Sequence, residues 1–328
     1  MTGPSRSSFV RSAAAAGAGA AWAFPRVLGA QTAGSTPLHL ASSPDDDVTP
    51  ALYARSSGLF KNAGLTVTID PLSNGTAVAA AIAGGAIDIG KASLLSIINA
   101  HLRGVPFVII APSGIADMGG SYAGMLVLKD SPIQSPRDLS GKTVAVPALH
   151  DIQSLATQAL IDKSGGDSKT VSFVEEPGTA IGVALDTNRI ASGVVANPAL
   201  AQLMATGRYR SIGKPIEEGF NRDMVAAWIT MADWATKNAG VVQRFGQAIA
   251  TATAYCNAHP DKTIDLIAAF SNIDRSMLAT MTRAKYAASL NPALVQPLVD
   301  AAARYGAIPK SYNAAELFSP AAYGYVKP

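Results

Sequence analysis

The sequence predicts an α/β fold with two mainly parallel β-sheets, one in each of two lobes. Short apolar segments alternate with helical segments in the first third of the chain, which is typical of a parallel sheet covered on both faces. A second series of the same kind follows a run of small residues at 119–124. The 328 residues also exceed the size at which a single hydrophobic core keeps growing.

The first series contains four predicted strands and three helices. Thr49 and Pro50 begin the first helix as N-cap and N1 residues, and Ser73 or Asn74 can cap the second. The predicted strands cover residues 38–42, 66–71, 87–90 and 107–111, and the helices cover residues 50–57, 76–83 and 94–103.

The second series has the same order. Gly165 and Gly166 end its first helix, because glycine tolerates the left-handed backbone that commonly follows a helix. A return strand is expected at 224–231, followed by a helical pattern to about Tyr305. The other predicted strands cover residues 125–128, 143–146, 171–174 and 193–195, and the helices cover residues 151–164, 179–188 and 198–206.

The first 30 residues have the pattern of a secretory signal. Arg6 and Arg11 precede an alanine-rich stretch that is too short to span a bilayer, and Ala30 is the last small residue before Gln31. We therefore expect export to the periplasm with cleavage after Ala30. The Sec route and the twin-arginine route both remain open, because Ser7 stands where the twin-arginine motif has its second arginine.

The charge balance excludes two classes of partner. The chain has 26 Lys and Arg and 23 Asp and Glu, and three of its arginines lie within residues 1–30, which leaves a mature chain of net charge near zero. Nucleic acids and anionic membrane surfaces both require a basic surface. The single cysteine, Cys256, excludes an internal disulfide and a Cys-x-x-Cys site. Its apolar neighbours predict a buried packing thiol.

Several segments resemble a known family of transport proteins. Residues 64–67 read Gly-Leu-Thr-Val, residues 73–76 form a small polar loop, and residues 85–90 read Gly-Ala-Ile-Asp-Ile-Gly. This pattern resembles the substrate-binding proteins of ABC importers, within the sulfonate, nitrate and thiamine-precursor branch. The resemblance implies a type II periplasmic-binding-protein fold, with two Rossmann-like lobes joined by two hinge crossings. Lobe I would comprise residues 31–122 and 230–328, and lobe II residues 123–229.

The resemblance also implies a function. The chain is expected to be a monomer that captures a small organic, anionic ligand without converting it, and to deliver it to an ABC permease with a separate ATPase. No cofactor is expected. Two alternatives remain: a binding protein that signals to a membrane receptor, and an enzyme like the fungal pyrimidine synthases of this fold. The enzyme is disfavoured because those synthases carry a cysteine-rich motif, whereas this chain has Cys256 alone.

The ligand should lie at the carboxyl ends of the strands, where loops lead into helix N-termini whose dipoles favour anions. Five loops meet this description, at residues 44–49, 73–76, 91–93, 147–152 and 196–198. The predicted ligand contacts on these loops are Asp46, Asp47, Asn74, Gly75, Thr76, Lys91, Ser93, Leu149, His150, Asp151 and Asn197.

Some of these residues also have simpler structural interpretations. Asn74, Gly75 and Ser93 can cap helices, and the run from Asp45 to Asp47 is interpreted as a solvated cap, since it lacks the ligand spacing of a calcium loop. Lys91 is expected to be buried and therefore needs an anionic partner. That partner is either the ligand or one of these aspartates, and we favour the internal pair.

Overall fold

The computed structural model describes residues 35–149, 151–220, 222–278 and 280–325. The described part of the chain is one compact unit. The predicted signal segment, its cleavage after Ala30 and the predicted contact residue His150 lie outside the described residues.

Most strands form two five-stranded sheets. The strands are β1 (Thr36–Ser42), β2 (Leu65–Pro71), β3 (Ile89–Ser93), β4 (Phe107–Pro112), β5 (Gly114–Ile115), β6 (Ala123–Leu128), β7 (Thr143–Val146), β8 (Ser172–Glu175), β9 (Ser192–Ala196), β10 (Tyr209–Ser211), β11 (Ala226–Met231) and β12 (Lys285–Tyr286). The short strands β5 and β12 pair separately with each other.

Helices connect the strands. They are α1 (Thr49–Ser56), α2 (Leu59–Asn62), α3 (Gly75–Ala83), α4 (Leu94–Leu102), α5 (Ile152–Lys163), α6 (Ile181–Asp186), α7 (Ala199–Ala205), α8 (Pro215–Gly219), α9 (Ala232–Lys237), α10 (Ala239–Ala258), α11 (Ile264–Ser271) and α12 (Gln296–Arg304). Within the described ranges, no helix is both long enough and apolar enough to cross a bilayer.

The two sheets have the same strand order. The first sheet runs β2-β1-β3-β11-β4, with β1 parallel to β2 and β3, and with β11 antiparallel to both of its neighbours. The second sheet runs β8-β7-β9-β6-β10, with β6 as its antiparallel strand. In each sheet the antiparallel strand is the first one that the chain forms after arriving from the other sheet. Each sheet therefore consists of parallel strands connected by helices, together with one antiparallel strand formed by the chain as it arrives from the other sheet.

The chain passes between the sheets twice, over residues 113–122 and 212–225. The return strand predicted at 224–231 is present as β11, which lies at the interior of the first sheet. The lobe boundary expected between residues 229 and 230 falls inside this strand. The lobe boundaries themselves stay a prediction.

Two glycines bring a helix close to the third strand of each sheet. A Cβ atom on Gly90 of β3 would lie 2.3 Å from Cγ1 of Val78 on α3. A Cβ atom on Gly193 of β9 would lie 2.4 Å from Cγ2 of Ile181 on α6. Real Cβ atoms do not approach so closely, and extra volume in a packed core is destabilising. The glycine that ends the Gly-Ala-Ile-Asp-Ile-Gly motif therefore has a packing role.

The C-terminal third differs from the expected continuous helical pattern. Helix α10 is long and packs against α1 and β4, and the predicted burial of Cys256 on α10 is confirmed. Between α11 and α12, however, residues 272–278 and 280–295 are mostly irregular and contain β12. This segment includes Arg283, whose contacts with the first sheet are described below. The prediction of helix throughout this region was wrong.

Candidate functional site

A cavity of about 420 Å³ lies where the carboxyl ends of strands from both sheets meet. Loops after β1, β2 and β3 contribute from the first sheet, and loops after β7, β8 and β9 contribute from the second. The lining residues are Ser43, Pro44, Asp45, Pro71, Leu72, Ser73, Asn74, Gly75, Lys91, Ser93, Tyr122, Pro147, Asp151, Ile152, Gln153, Pro177, Gly178, Thr179, Ala196 and Ala199.

Three of the helices that begin at this cavity have a side chain that caps their own N-terminus. Asn74 Oδ1 accepts a hydrogen bond from Ala77 N at 2.9 Å on α3, and Asp151 Oδ1 accepts one from Ser154 N at 3.0 Å on α5. Ser93 caps α4 in the same way. The capping interpretation of Asn74 and Ser93 is thus confirmed. These helix ends also direct positive dipole ends toward the cavity.

Direct hydrogen bonds join the loops of the two sheets. Asn74 Nδ2 donates to the carbonyl oxygen of Pro147 at 3.3 Å. The backbone N–H of Asp46 donates to the carbonyl oxygen of Asn197 at 2.7 Å. The loops after β1 and β2 of the first sheet therefore contact those after β7 and β9 of the second.

Lys91 forms a buried ion pair inside the protein. Only 1% of the residue is exposed, and its Nζ donates to Oδ1 of the fully buried Asp47 and lies 3.5 Å from Oδ2 of Asp45. Tyr122 donates its hydroxyl to the other Asp47 oxygen at 3.1 Å. The favoured internal pairing of Lys91 is confirmed.

The neighbouring carboxylates keep Lys91 charged. Burial alone lowers the pKa of a lysine, but the carboxylates of Asp47 and Asp45 outweigh that effect, so the pKa of Lys91 is raised. This cluster of one ammonium and two carboxylates carries a net negative charge. Lys91 therefore supplies no uncompensated positive charge to the cavity.

Asp46 belongs to a second buried ion pair. Its carboxylate accepts hydrogen bonds from Nε and Nη2 of Arg283, with an Nη2 to Oδ1 distance of 2.6 Å, and from the backbone N–H of Ala284 at 2.7 Å. Arg283 also donates to Thr49 and Tyr286. These contacts attach the irregular segment near residue 283 to the loop after β1. The solvated-cap interpretation was wrong for Asp46 and Asp47, which are both buried.

Asp151 is a buried carboxylate at the cavity without a basic partner. It is 6% exposed, and its pKa is raised to about 7. Burial is the main cause and the nearby charge of Asp45 adds to it, while hydrogen bonds from the N–H groups of Ser154 and Gln153 act in the opposite direction. Among the described residues, no lysine or arginine forms an ion pair with it. The adjacent Gln153 is also buried, and its Oε1 has no hydrogen-bond partner.

The structure brings five of the predicted contact residues to the cavity. These are Asn74, Gly75, Lys91, Ser93 and Asp151. They come from three of the five predicted loops and from both sheets, so the predicted location agrees with the geometry. Their contact with a ligand stays a prediction.

The other predicted contacts that are described do not line the cavity. Asp46 and Asp47 lie in the buried ion pairs, and Thr76 faces a smaller neighbouring cavity that contains Glu175. Leu149 is 39% exposed, and its N–H donates to Glu175. Asn197 is buried, with Nδ2 donating to the carbonyl oxygens of Ser121 and Thr282. Structural roles account for Asp46, Asp47 and Asn197.

Sequence reasoning missed the loop after β8. Pro177, Gly178 and Thr179 line the cavity, and the rule that selected the other loops applies equally to them. It also missed Gln153, one residue beyond the predicted loop at 147–152, and Tyr122. Tyr122 lies in a connection between the sheets, where strand patterning carries no signal.

The described residues form no metal site, and the histidines among them have other contacts. In the described ranges, no group of three or more His, Cys, Asp and Glu side chains is placed to hold a metal ion. His39 Nε2 contacts Asp70 at 2.6 Å, and His101 lies 3.7 Å from Glu316. Neither histidine lines the cavity described above.

The sequence matches a known family and a characterised relative. A family model described as NMT1/THI5 like matches residues 45–263, about two thirds of the chain. The taurine-binding periplasmic protein of Escherichia coli (strain K12) is 26% identical over 213 residues. That alignment covers 65% of this chain and 64% of the relative, so it spans slightly less than two thirds of the relative's length.

Solved structures share the fold. The alkanesulfonate-binding protein SsuA from Xanthomonas axonopodis pv. citri, bound to MOPS, has a TM-score of 0.72 at 17% identity, covering 90% of this chain and 100% of that one. The periplasmic nitrate-binding protein NrtA from Synechocystis PCC 6803 has a TM-score of 0.74 at 14% identity, covering 85% and 84%. The protein therefore has the periplasmic-binding-protein fold, as expected from the sequence.

Proposed function

We infer that this chain, which belongs to the NMT1/THI5-like family, is the solute-binding component of an ABC importer and captures a small organic molecule without converting it. The observation that carries the proposal is the cavity of about 420 Å³ between the strand ends of the two sheets. Its volume suits a small molecule, and its position at the carboxyl ends of the strands is where open α/β sheets bind ligands. The relatives named above are binding proteins, which supports this role.

The ligand is proposed to carry an anionic group that lies against helix N-termini. The starts of α3 and α4 reach the cavity at Asn74, Gly75 and Ser93. First-turn N–H groups have no acceptor within their own helix and can donate to an anion. Since Lys91 is already paired internally, these N–H groups are the positive side of the site.

Capture is proposed to involve closure of two lobes about the connections at residues 113–122 and 212–225. Each sheet with its helices would form one lobe, and a ligand that contacts both would favour the closed form. The closed form would then dock on a membrane permease that works with a separate ATPase. Loop contacts such as Asn74 with Pro147 are of the kind that closure would form.

The binding proposal predicts tight association and compaction with a small organic anion. Titration of the purified chain with a panel of sulfonates and carboxylates should find at least one ligand with a Kd of about 1 µM or lower, or about −8 kcal/mol. Calorimetry would measure the affinity, and small-angle scattering of the same samples should show a smaller radius of gyration with ligand. Failure of the whole panel, together with no small molecule in mass spectra of freshly purified and denatured protein, would refute the proposal.

Export is proposed from the N-terminal pattern. Arg6, Arg11 and the alanine-rich stretch should direct the chain to the periplasm, with removal of residues 1–30. N-terminal sequencing of periplasmic material should therefore begin at Gln31. A chain that still begins at Met1 in that fraction would contradict the proposed processing.

A further inference from the structure

The charges around the cavity indicate a second feature of the ligand. Among the described residues that line it, Lys91 is the one basic side chain and Asp45 and Asp151 are the acidic ones. The charge of Lys91 is already taken up by the buried Asp47 and by Asp45. An ionised Asp151 therefore adds to a site whose net charge is already negative.

The two lining carboxylates come from opposite sides of the cavity. Asp45 follows β1 of the first sheet, and Asp151 begins α5 after β7 of the second. They are close enough that the charge of Asp45 disfavours ionisation of Asp151. Hydrogen bonds from N–H groups stabilise Asp151 in part, but no cation of the described chain neutralises it. A positive group between the two carboxylates would remove this repulsion.

A neighbouring neutral group points the same way. Gln153 is 5% exposed, lines the cavity and has a buried Oε1 without a hydrogen-bond partner. A buried acceptor without a donor is costly, and native structures usually satisfy such groups. An ammonium offers three N–H donors, which matches two carboxylates and one amide oxygen.

We propose that the captured ligand is a zwitterion or other amine-bearing organic anion whose cationic group binds between Asp45 and Asp151 beside Gln153. The inference rests on the proposed binding function and adds the chemical class of the ligand. Its anionic group would lie at the N-termini of α3 and α4. Because Asp45 and Asp151 belong to different sheets, the cationic group would link the two sides of the cavity and favour the closed form.

Matched pairs of ligands test the charge directly. In one pair 2-aminoethanesulfonate is compared with propane-1-sulfonate, and in the other 3-aminopropanesulfonate is compared with butane-1-sulfonate. In each pair a methyl group replaces the ammonium and leaves the sulfonate unchanged. Calorimetry at pH 8 should show at least one amino compound binding at least tenfold more tightly than its partner. Equal or tighter binding of the alkyl compounds would overturn the inference and leave the proposed function intact.

Variants locate the cationic group. Asp151→Asn keeps an N-cap side chain and should remove the preference for amino compounds. It should weaken their binding at least tenfold and leave the binding of the alkyl compounds unchanged. Gln153→Met should weaken the amino compounds by a smaller factor without a change of charge. Asp167→Asn, at an exposed N-cap elsewhere, is the matched control and should leave all affinities unchanged. A preference that survives Asp151→Asn would overturn the assignment.

Two further results would also overturn the inference. One is that none of the four sulfonates binds. The proposed function is then tested separately, by identifying the small molecule that is released from denatured protein. The other is an increase of Tm by Zn²⁺ or Ca²⁺ alone that is lost in Asp151→Asn, because the carboxylates would then be holding a metal ion.

Discussion

Replacing Lys91 with methionine is expected to lower the free energy of unfolding by about 3 to 5 kcal/mol, because the substitution leaves the fully buried carboxylate of Asp47 without its cation. Methionine keeps most of the side-chain volume, so the loss reports the charge and not a cavity. Urea denaturation of the ligand-free protein at pH 7 measures it. Any change in ligand affinity should follow from the altered positions of Asp45 and Tyr122.

The double variant Lys91→Met/Asp47→Asn should recover most of this loss. It removes both charges, and replacing a whole buried ion pair by neutral groups is often close to neutral in stability. Lys237→Met is the matched control, since it breaks an exposed pair with Asp233 and should cost less than about 1 kcal/mol. If Lys91→Met left the unfolding free energy unchanged but abolished binding, Lys91 would be a partner of the ligand and the internal pair would be unimportant.

Much of the fold could be predicted from local patterns. The strands β1 to β4 and β6 to β9 and the predicted helices between them lie within about three residues of their predicted positions, because their apolar periodicity and caps are encoded nearby in the sequence. The short helix α2 was not predicted. The strands β5, β10 and β12 were missed, since segments of two or three residues carry too little periodicity. The irregular segment between α11 and α12 was missed for a different reason: Arg283 holds it through Asp46, more than 230 positions away.

The location of the site was predictable, but the role of each side chain was not. The rule that ligands bind at the carboxyl ends of strands selected loops that meet at the cavity. Whether an acidic residue on such a loop faces the cavity or the core depends on distant partners. Asp46 and Asp47 turn inward to Arg283 and Lys91, whereas Asp45 and Asp151 line the cavity. The sequence alone does not show which distant residue each of these aspartates will contact.

The uncompensated charge of Asp151 should be visible in stability as well as in binding. The pKa of Asp151 is about 7 in the folded protein, against an ordinary value of 3.8. Between these two pH values the folded state therefore holds a proton that the unfolded state has released. Stability of the ligand-free protein should therefore fall as the pH rises from about 4 to about 7. At about 1.4 kcal/mol per pKa unit, ionisation of this one group lowers the free energy of unfolding by about 2 to 3 kcal/mol between pH 5 and pH 8.

Asp151→Asn should abolish that cost, because asparagine does not titrate and caps a helix about as well as aspartate. In urea denaturation, the stability advantage of the variant over wild type should grow by about 2 to 3 kcal/mol between pH 5 and pH 8. Comparing the two proteins at each pH cancels contributions from other carboxylates, such as Asp223, whose pKa burial raises to about 6. Asp167→Asn should show only a small effect at both pH values. If the stability difference between Asp151→Asn and wild type were the same at pH 5 and pH 8, Asp151 would ionise without a cost in stability. The cavity would then have no uncompensated negative charge for a ligand to neutralise.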